Sequence, residues 1–131
     1  MAAAKNLKGL QAGASPEEAV LGGIREGLHK RDSAMLASLY ADDVEYTIIN
    51  RNNPPSKRLV LRGRKAVQEM FADLCSREMT HEVVNAVAGA NAIAYVIRCR
   101  YPDGCNVIGL YNATLRDGRI VSEISVDCWD E

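Results

Sequence analysis

The stretch IAYVIRCRYPDGCNVIGLYNATLRDGRIVSEISVDCW, residues 93–129, decides the fold. It alternates apolar and polar residues and is rich in β-branched and aromatic side chains, the pattern of half-buried strands. Two turn signals cut it. In Pro102-Asp103-Gly104, proline presets φ and glycine takes the left-handed position. Asp117-Gly118 is the second, a hairpin dipeptide. With Thr80 to Ala88 placed before it, the C-terminal part reads as a four-strand antiparallel meander: Thr80–Ala88, Ala92–Tyr101, Cys105–Leu115 and Arg119–Trp129.

The period changes upstream. Ser15-Pro16-Glu17-Glu18 carries a capping serine, a first-turn proline and the glutamate of a capping box. A helix is expected from there to about Lys30, with Ala19, Val20, Ile24 and Leu28 on one face. Asp32 is expected to cap a second helix, Ser33 to Ala41. Val44 to Ile49 reads as a strand, residues 50–58 as a loop around Pro54-Pro55, and Leu59 to Leu61 as a short strand. Gly63 opens a third helix to about Arg77, with Ala66, Val67, Met70, Phe71 and Leu74 inward. Helices segregated from an antiparallel sheet define an α+β domain. Residues 1–14 read as a loose arm and 15–131 as one domain, in keeping with a length of 131 residues.

Composition removes several function classes. The net charge is −1, from 16 basic and 17 acidic residues, so the whole chain offers no electrostatic case for nucleic acid or an anionic membrane. The longest stretch without charge, Val83 to Ile97, is 15 residues and contains two asparagines, too short and too polar to span a bilayer. No apolar leader opens the chain, so the cytosol is the expected compartment. Cys75, Cys99, Cys105 and Cys128 are too scattered for a disulfide framework or a zinc site, and no metal or cofactor is expected. Phosphate-binding, dinucleotide-binding, nucleophile-elbow and H-E-x-x-H motifs are missing. A local basic strip at Arg51, Lys57, Arg58, Arg62, Arg64 and Lys65 has no interleaved aromatics and reads as a solvated rim.

Pairing the strands about three-residue loops puts the odd-numbered residues on one face. Two rows then cross it: Asn85, Tyr95, Tyr111, Glu123 and His81, Cys99, Val107, Asp127. Apolar neighbours with a few converging polar groups are the make-up of a small-molecule pocket. In such surroundings Asp127 or Glu123 would have a raised pKa and serve as general acid or base. His81, titrating near neutral pH, would act with them or orient a carbonyl. In a flat sheet His81 and Asp127 stand ~14 Å apart, at opposite ends of a ligand. Tyr46, Ile48, Tyr95, Tyr111, Asn85 and Trp129 are the expected lining. The even face has an apolar centre (Val96, Ile108, Leu110, Ile124, Val126) and a polar rim, as a homodimer interface would. A two-residue turn at Asp117-Gly118 would instead set Arg116 against Arg119 and shift the last strand by one residue, which like charges oppose.

The segments ASLYADDVEYTII, LRGRKAVQEMFADL, MTHEVVNAV, IAYVIRCRYPDG and GRIVSEISVDCW, in this order and spacing, resemble the nuclear transport factor 2-like superfamily, and most of all its SnoaL-like branch of polyketide cyclases and related proteins. The resemblance covers residues 15–129. It implies a curved sheet wrapped around a long helix, a conical pocket and often a dimer. It also implies cofactor-free chemistry of the cyclase, isomerase or dehydratase type on a hydrophobic carbonyl or polycyclic compound, or else a noncatalytic binding or dimerisation module. The ketosteroid isomerase base falls at Ile48 here, its helix tyrosine near Ile24 and its second carboxyl near Tyr111, so that design is not kept. The Arg-x-Asp of the epoxide hydrolases is replaced by Arg98-Cys99-Arg100. The histidine of scytalone-dehydratase-like enzymes corresponds to His81, and the acid of the cyclases to Asp127 or Glu123.

Overall fold

The computed structural model describes residues 14–130. The expected arm, residues 1–14, lies outside the described part except for its last residue. Helix α1 spans Pro16–Lys30, α2 Ser33–Ala37 and α3 Arg64–Ser76. The strands are β1 Tyr40–Ile49, β2 Leu59–Arg62, β3 Thr80–Gly89, β4 Ala92–Arg100, β5 Asn106–Arg116 and β6 Arg119–Trp129.

Helix α1 starts as its sequence directs. Ser15 Oγ accepts from the Glu18 amide and Glu18 accepts from the Ser15 amide, closing the capping box. It ends at Arg31, whose left-handed backbone (φ 54°) turns the chain, while its guanidinium donates to the carbonyls of Arg77 and Met79. Helix α2 is shorter than expected. It stops at Ala37, and Tyr40 to Asp43 already belong to β1. Tertiary pairing overrides helix propensity there: Tyr40 pairs with Ile120, and the Ile120 amide donates to Leu39 O at 2.9 Å. Asp42 and Asp43 remain exposed and take ion pairs from Arg64 and Arg116.

The six strands form one sheet in the order β2-β1-β6-β5-β4-β3. Only β1 and β6 run parallel; the other neighbours are antiparallel. The three helices pack against one face of this curved sheet and close it into a cone. The core combines α1 (Val20, Leu21, Ile24, Leu28), α3 (Val67, Phe71) and the inner face of the sheet (Tyr40, Val44, Tyr46, Ile93, Tyr95, Ile120). Each fully buried aliphatic or aromatic side chain of this kind contributes about 1.5–3 kcal/mol over its exposed state. No described helix is long and apolar enough to cross a membrane.

The register corrects two of the expected loops. Asp117 and Gly118 form a two-residue turn with φ 53° and 79°, so Arg116 does face Arg119. The like-charge cost is relieved because Arg116 reaches across to Asp43 at 2.8 Å. A β-bulge follows at once. Leu115 pairs with Ile120 and Thr114 with Ser122, leaving Val121 without a partner. Turn and bulge each shift β6 by one residue, and the two shifts together keep Glu123 and Asp127 on the inner face. At the other hairpin, Gly89 pairs with Ala92 and a bulge lies between Val83 and Asn85. There the two-residue turn shifts the strand by one and turns Asn85 outward, opposite Val96, with Val87 62% exposed, and the bulge then restores His81 opposite Cys99. The expected inward placement of Asn85 and Val87 therefore does not hold.

Candidate functional site

The inner face of β6 carries two carboxyl groups in very different settings. Burial falls along this strand, from 0% exposure at Ile120 to 2% at Glu123 and Ser125, and then to half-burial at Asp127 and Trp129. Glu123 therefore lies at the closed end of the cone and Asp127 near its open end.

Glu123 pairs across the sheet with Ala113 and Tyr46, not with Tyr111 as the three-residue loop implied. The hydroxyls of Tyr40 and Tyr95 donate to its two oxygens, one to each. No cation stands among these bonded partners. Burial pushes the carboxyl up to about 7, against the smaller opposing pull of the two phenols. Tyr40 and Tyr95 are themselves raised well above the ordinary phenol range, by burial first and by the Glu123 charge second. Tyr40, which the sequence pattern places at the end of a helix, begins β1 instead and is a site residue that the sequence does not reveal. Its only sequence signal was an aromatic residue flanking an apolar run.

Tyr95 and Tyr111 lie directly opposite each other on β4 and β5. Their rings stack with centroids 4.8 Å apart and planes 7° from parallel. The Tyr111 hydroxyl donates to Asp127 Oδ1 at 3.3 Å. Among the described residues it is the one hydrogen-bond partner of that carboxyl. Burial raises the Asp127 pKa and the Tyr111 hydroxyl partly offsets this. Tyr46 is buried beside these groups, raised by burial and then by the charges of Glu123, Tyr111 and Asp127. Ile48 packs against the edge of the same cluster.

His81 pairs with Cys99 as expected, and its Nδ1 lies 3.2 Å from Cys99 Sγ. Burial and then the nearby Arg31 charge lower the His81 pKa, so the imidazole is neutral at pH 7. The Cys99 thiol is pushed up to about 11 by burial and then by Asp127, so it is not a thiolate nucleophile. The row beginning His81, Cys99, Val107 ends at Trp129, not at Asp127, which sits opposite Gly109 one row deeper. The Arg51 guanidinium lies over the Trp129 ring, 5.2 Å from its centroid. The basic strip is partly spent on local partners: Arg62 on Glu45, Arg64 on Asp42, and Arg58 on the carbonyl of Pro55.

A depression of about 340 Å³ lies on the opposite, outer face of the sheet, between Val87, Val96, Leu110, Ile124 and Val126, with Asn85 and Asn112 beside them. Tyr95 and Tyr111 also line it, but no carboxylate, imidazole or thiol does. The two carboxyls, His81 and Cys99 thus stand apart from this mainly apolar hollow. No grouping of three or more potential metal ligands occurs among the described residues.

A six-stranded cone of this topology over three helices is the architecture of the nuclear transport factor 2-like superfamily. The family model of the SnoaL-like domain matches residues 23–123, and the chain belongs to that family. Among solved structures, the fold is similar to a protein of Kribbella flavida DSM 17836 provisionally named a ketosteroid isomerase (TM-score 0.73, 18% identity, covering 88% of this chain and 78% of that one). It is similar also to an NTF2-like protein of unknown function from Mesorhizobium loti (TM-score 0.73, 18% identity, 86% and 91% covered). A third is a loop-truncation variant of IdmH (TM-score 0.67, 20% identity, 86% and 92% covered). At these identities the likeness is one of fold. No curated protein matches the chain by sequence.

Proposed function

We propose that this chain is a cofactor-independent acid/base enzyme of the cyclase, isomerase or dehydratase type, acting on a small hydrophobic carbonyl or polycyclic compound. One observation carries the reading: Asp127, raised in pKa by burial, faces the interior at the open end of the cone and is held by a single phenol. A carboxyl so placed takes a proton from a carbon next to a carbonyl, or delivers one to a departing oxygen. Tyr111 holds it in position, and neutral His81 near the open end is available to a ligand oxygen. Glu123, with each oxygen taken by a tyrosine, anchors the framework in this reading and does not exchange protons with the ligand.

The test begins with a thermal-shift screen of steroid-like and polyketide-like compounds, because a ligand of the native state raises its melting temperature. With a hit in hand, D127N is expected to keep binding and lose about 10²–10⁴-fold in turnover. Turnover left intact in both D127N and H81A would sink the proposal. A second reading, a noncatalytic binding or dimerisation module, draws support from the saturated Glu123 cluster. It predicts binding without any turnover in the wild type.

The same reading includes a homodimer through the outer sheet face. Val87, Ile108, Leu110, Ile124 and Val126 are all exposed there, around the apolar hollow.

A further inference from the structure

Glycine in the middle of a strand weakens it and contributes no packing, so one that stands there points to something lying close over the backbone. Gly109 is such a residue, in the interior of β5 with Ile97 on one side and Asp127 on the other. Its φ is not in the left-handed range, unlike Gly63, Gly104 and Gly118, so the turn chemistry of those glycines does not account for it. Gly89, at the end of β3, has nothing within 4 Å of where a Cβ would be. At Gly109 the space is taken. A Cβ there would stand 2.5 Å from the Tyr111 hydroxyl oxygen, 2.6 Å from Asp127 Oδ1 and 2.7 Å from Tyr111 Cε1. These contacts are too short for any carbon.

We infer that Gly109 is a positioning residue for the Tyr111–Asp127 pair. The missing side chain is the seat in which the phenol and the carboxyl meet. The inference builds on the acid/base reading of Asp127 and adds a residue that touches no substrate. The Tyr111 ring is confined by Tyr95, stacked on it, and by the Gly109 backbone under its hydroxyl end. Asp127 reaches over the same Cα from the neighbouring strand. A methyl group at 109 lifts the ring off β5 into the cone and parts the phenol from the carboxyl. That removes the donor that holds Asp127.

The test is read first on Asp127 itself, by titrating its carboxyl with ¹³C NMR, the signal assigned through its loss in D127N. This readout needs neither substrate nor activity, so it stands if the enzymatic reading fails. G109A and Y111F are both expected to move the Asp127 midpoint upward, since each removes the donor that lowers it. Turnover unaffected in both D127N and H81A would sink the enzymatic reading and leave this result untouched. A G109A titration that superimposes on the wild type overturns the positioning role. So does a Y111F titration that does not move. Should G109A fold poorly, stability is measured in a second background. G109A is expected to lower the melting temperature much more in the wild type than in Y111A, where two of the three clashing atoms are gone. An equal drop in both backgrounds would mean that the glycine serves the backbone alone, and would overturn the inference.

Discussion

Glu123 is a buried carboxyl with two phenol donors and no cation bonded to it, and its chemistry follows from that. The folded-state pKa is about 7 against 4.5 for the free side chain. Between these values the native state holds a proton that the unfolded state has lost. The contribution of Glu123 to stability is therefore fully present below pH 4.5 and is lost as pH rises through 7, by about 3 kcal/mol if the full shift is realised. The half-buried Asp127, also raised, adds a change of the same sign. E123Q has no proton to lose. Its amide oxygen accepts from one tyrosine and its amide group donates to the hydroxyl oxygen of the other. Denaturant titrations of the wild type from pH 5 to 7.5 are expected to show the decline, and those of E123Q to show most of it gone. A wild-type curve that is flat over this range contradicts the burial-driven shift. The inward direction of Glu123 was legible in the alternation of β6, but its partners were not. Tyr40 lies 83 positions away in sequence, and strand alternation carries no information about an approach from β1.

At the scale of elements, propensity and turn chemistry located nearly every helix and strand, because capping boxes, Pro-Asp-Gly and β-branched runs act locally. Register was the weaker reading, for a physical reason. Turn length and bulges each change it by one residue, and a bulge leaves no fixed residue signature. In the β5–β6 hairpin the two errors cancelled; in the β3–β4 hairpin Asn85 ended on the wrong side. Val121, the unpaired residue of the first bulge, is thus the element that aims β6. Were Val121 to take a ladder position opposite Thr114, Glu123 and Asp127 would turn to solvent. Deleting it instead removes the bulge and leaves a regular ladder, with Leu115 still opposite Ile120, Thr114 opposite Ser122 and Ala113 opposite Glu123. The expected outcome is a deletion variant that melts cooperatively, as the point variant V121A does, with Glu123 still buried. A deletion variant without a cooperative transition would show that the bulge does more than take up one extra residue.

The molecule as a whole presents two faces of opposite character. Inside the cone, carboxyls, phenols and an imidazole are held among apolar side chains. Outside, Leu110 is 53% exposed, with Val126 at 42%, Ile108 at 41% and Ile124 at 39%, all on the central strands β5 and β6. A monomer rarely leaves so continuous an apolar surface to water. A two-fold contact would cover it with a second copy of itself, since one patch then serves both sides. Arg98 and Arg100 on β4, with Glu82 on β3 paired to Arg98 at 3.4 Å, supply a charged margin to that centre. Replacing Leu110 by aspartate places a charge in the middle of the contact and touches no group inside the cone. L110D is therefore expected to sediment as a monomer at micromolar concentration where the wild type sediments as a dimer, with melting still cooperative and ligand-induced stabilisation retained. A wild type that is already monomeric at that concentration would refute the interface. A dimer that survives L110D would place the contact elsewhere on the surface. If the L110D monomer keeps ligand binding, the two faces are independent; if binding falls with dissociation, the dimer contact and the shape of the cone are coupled through the shared strands β5 and β6.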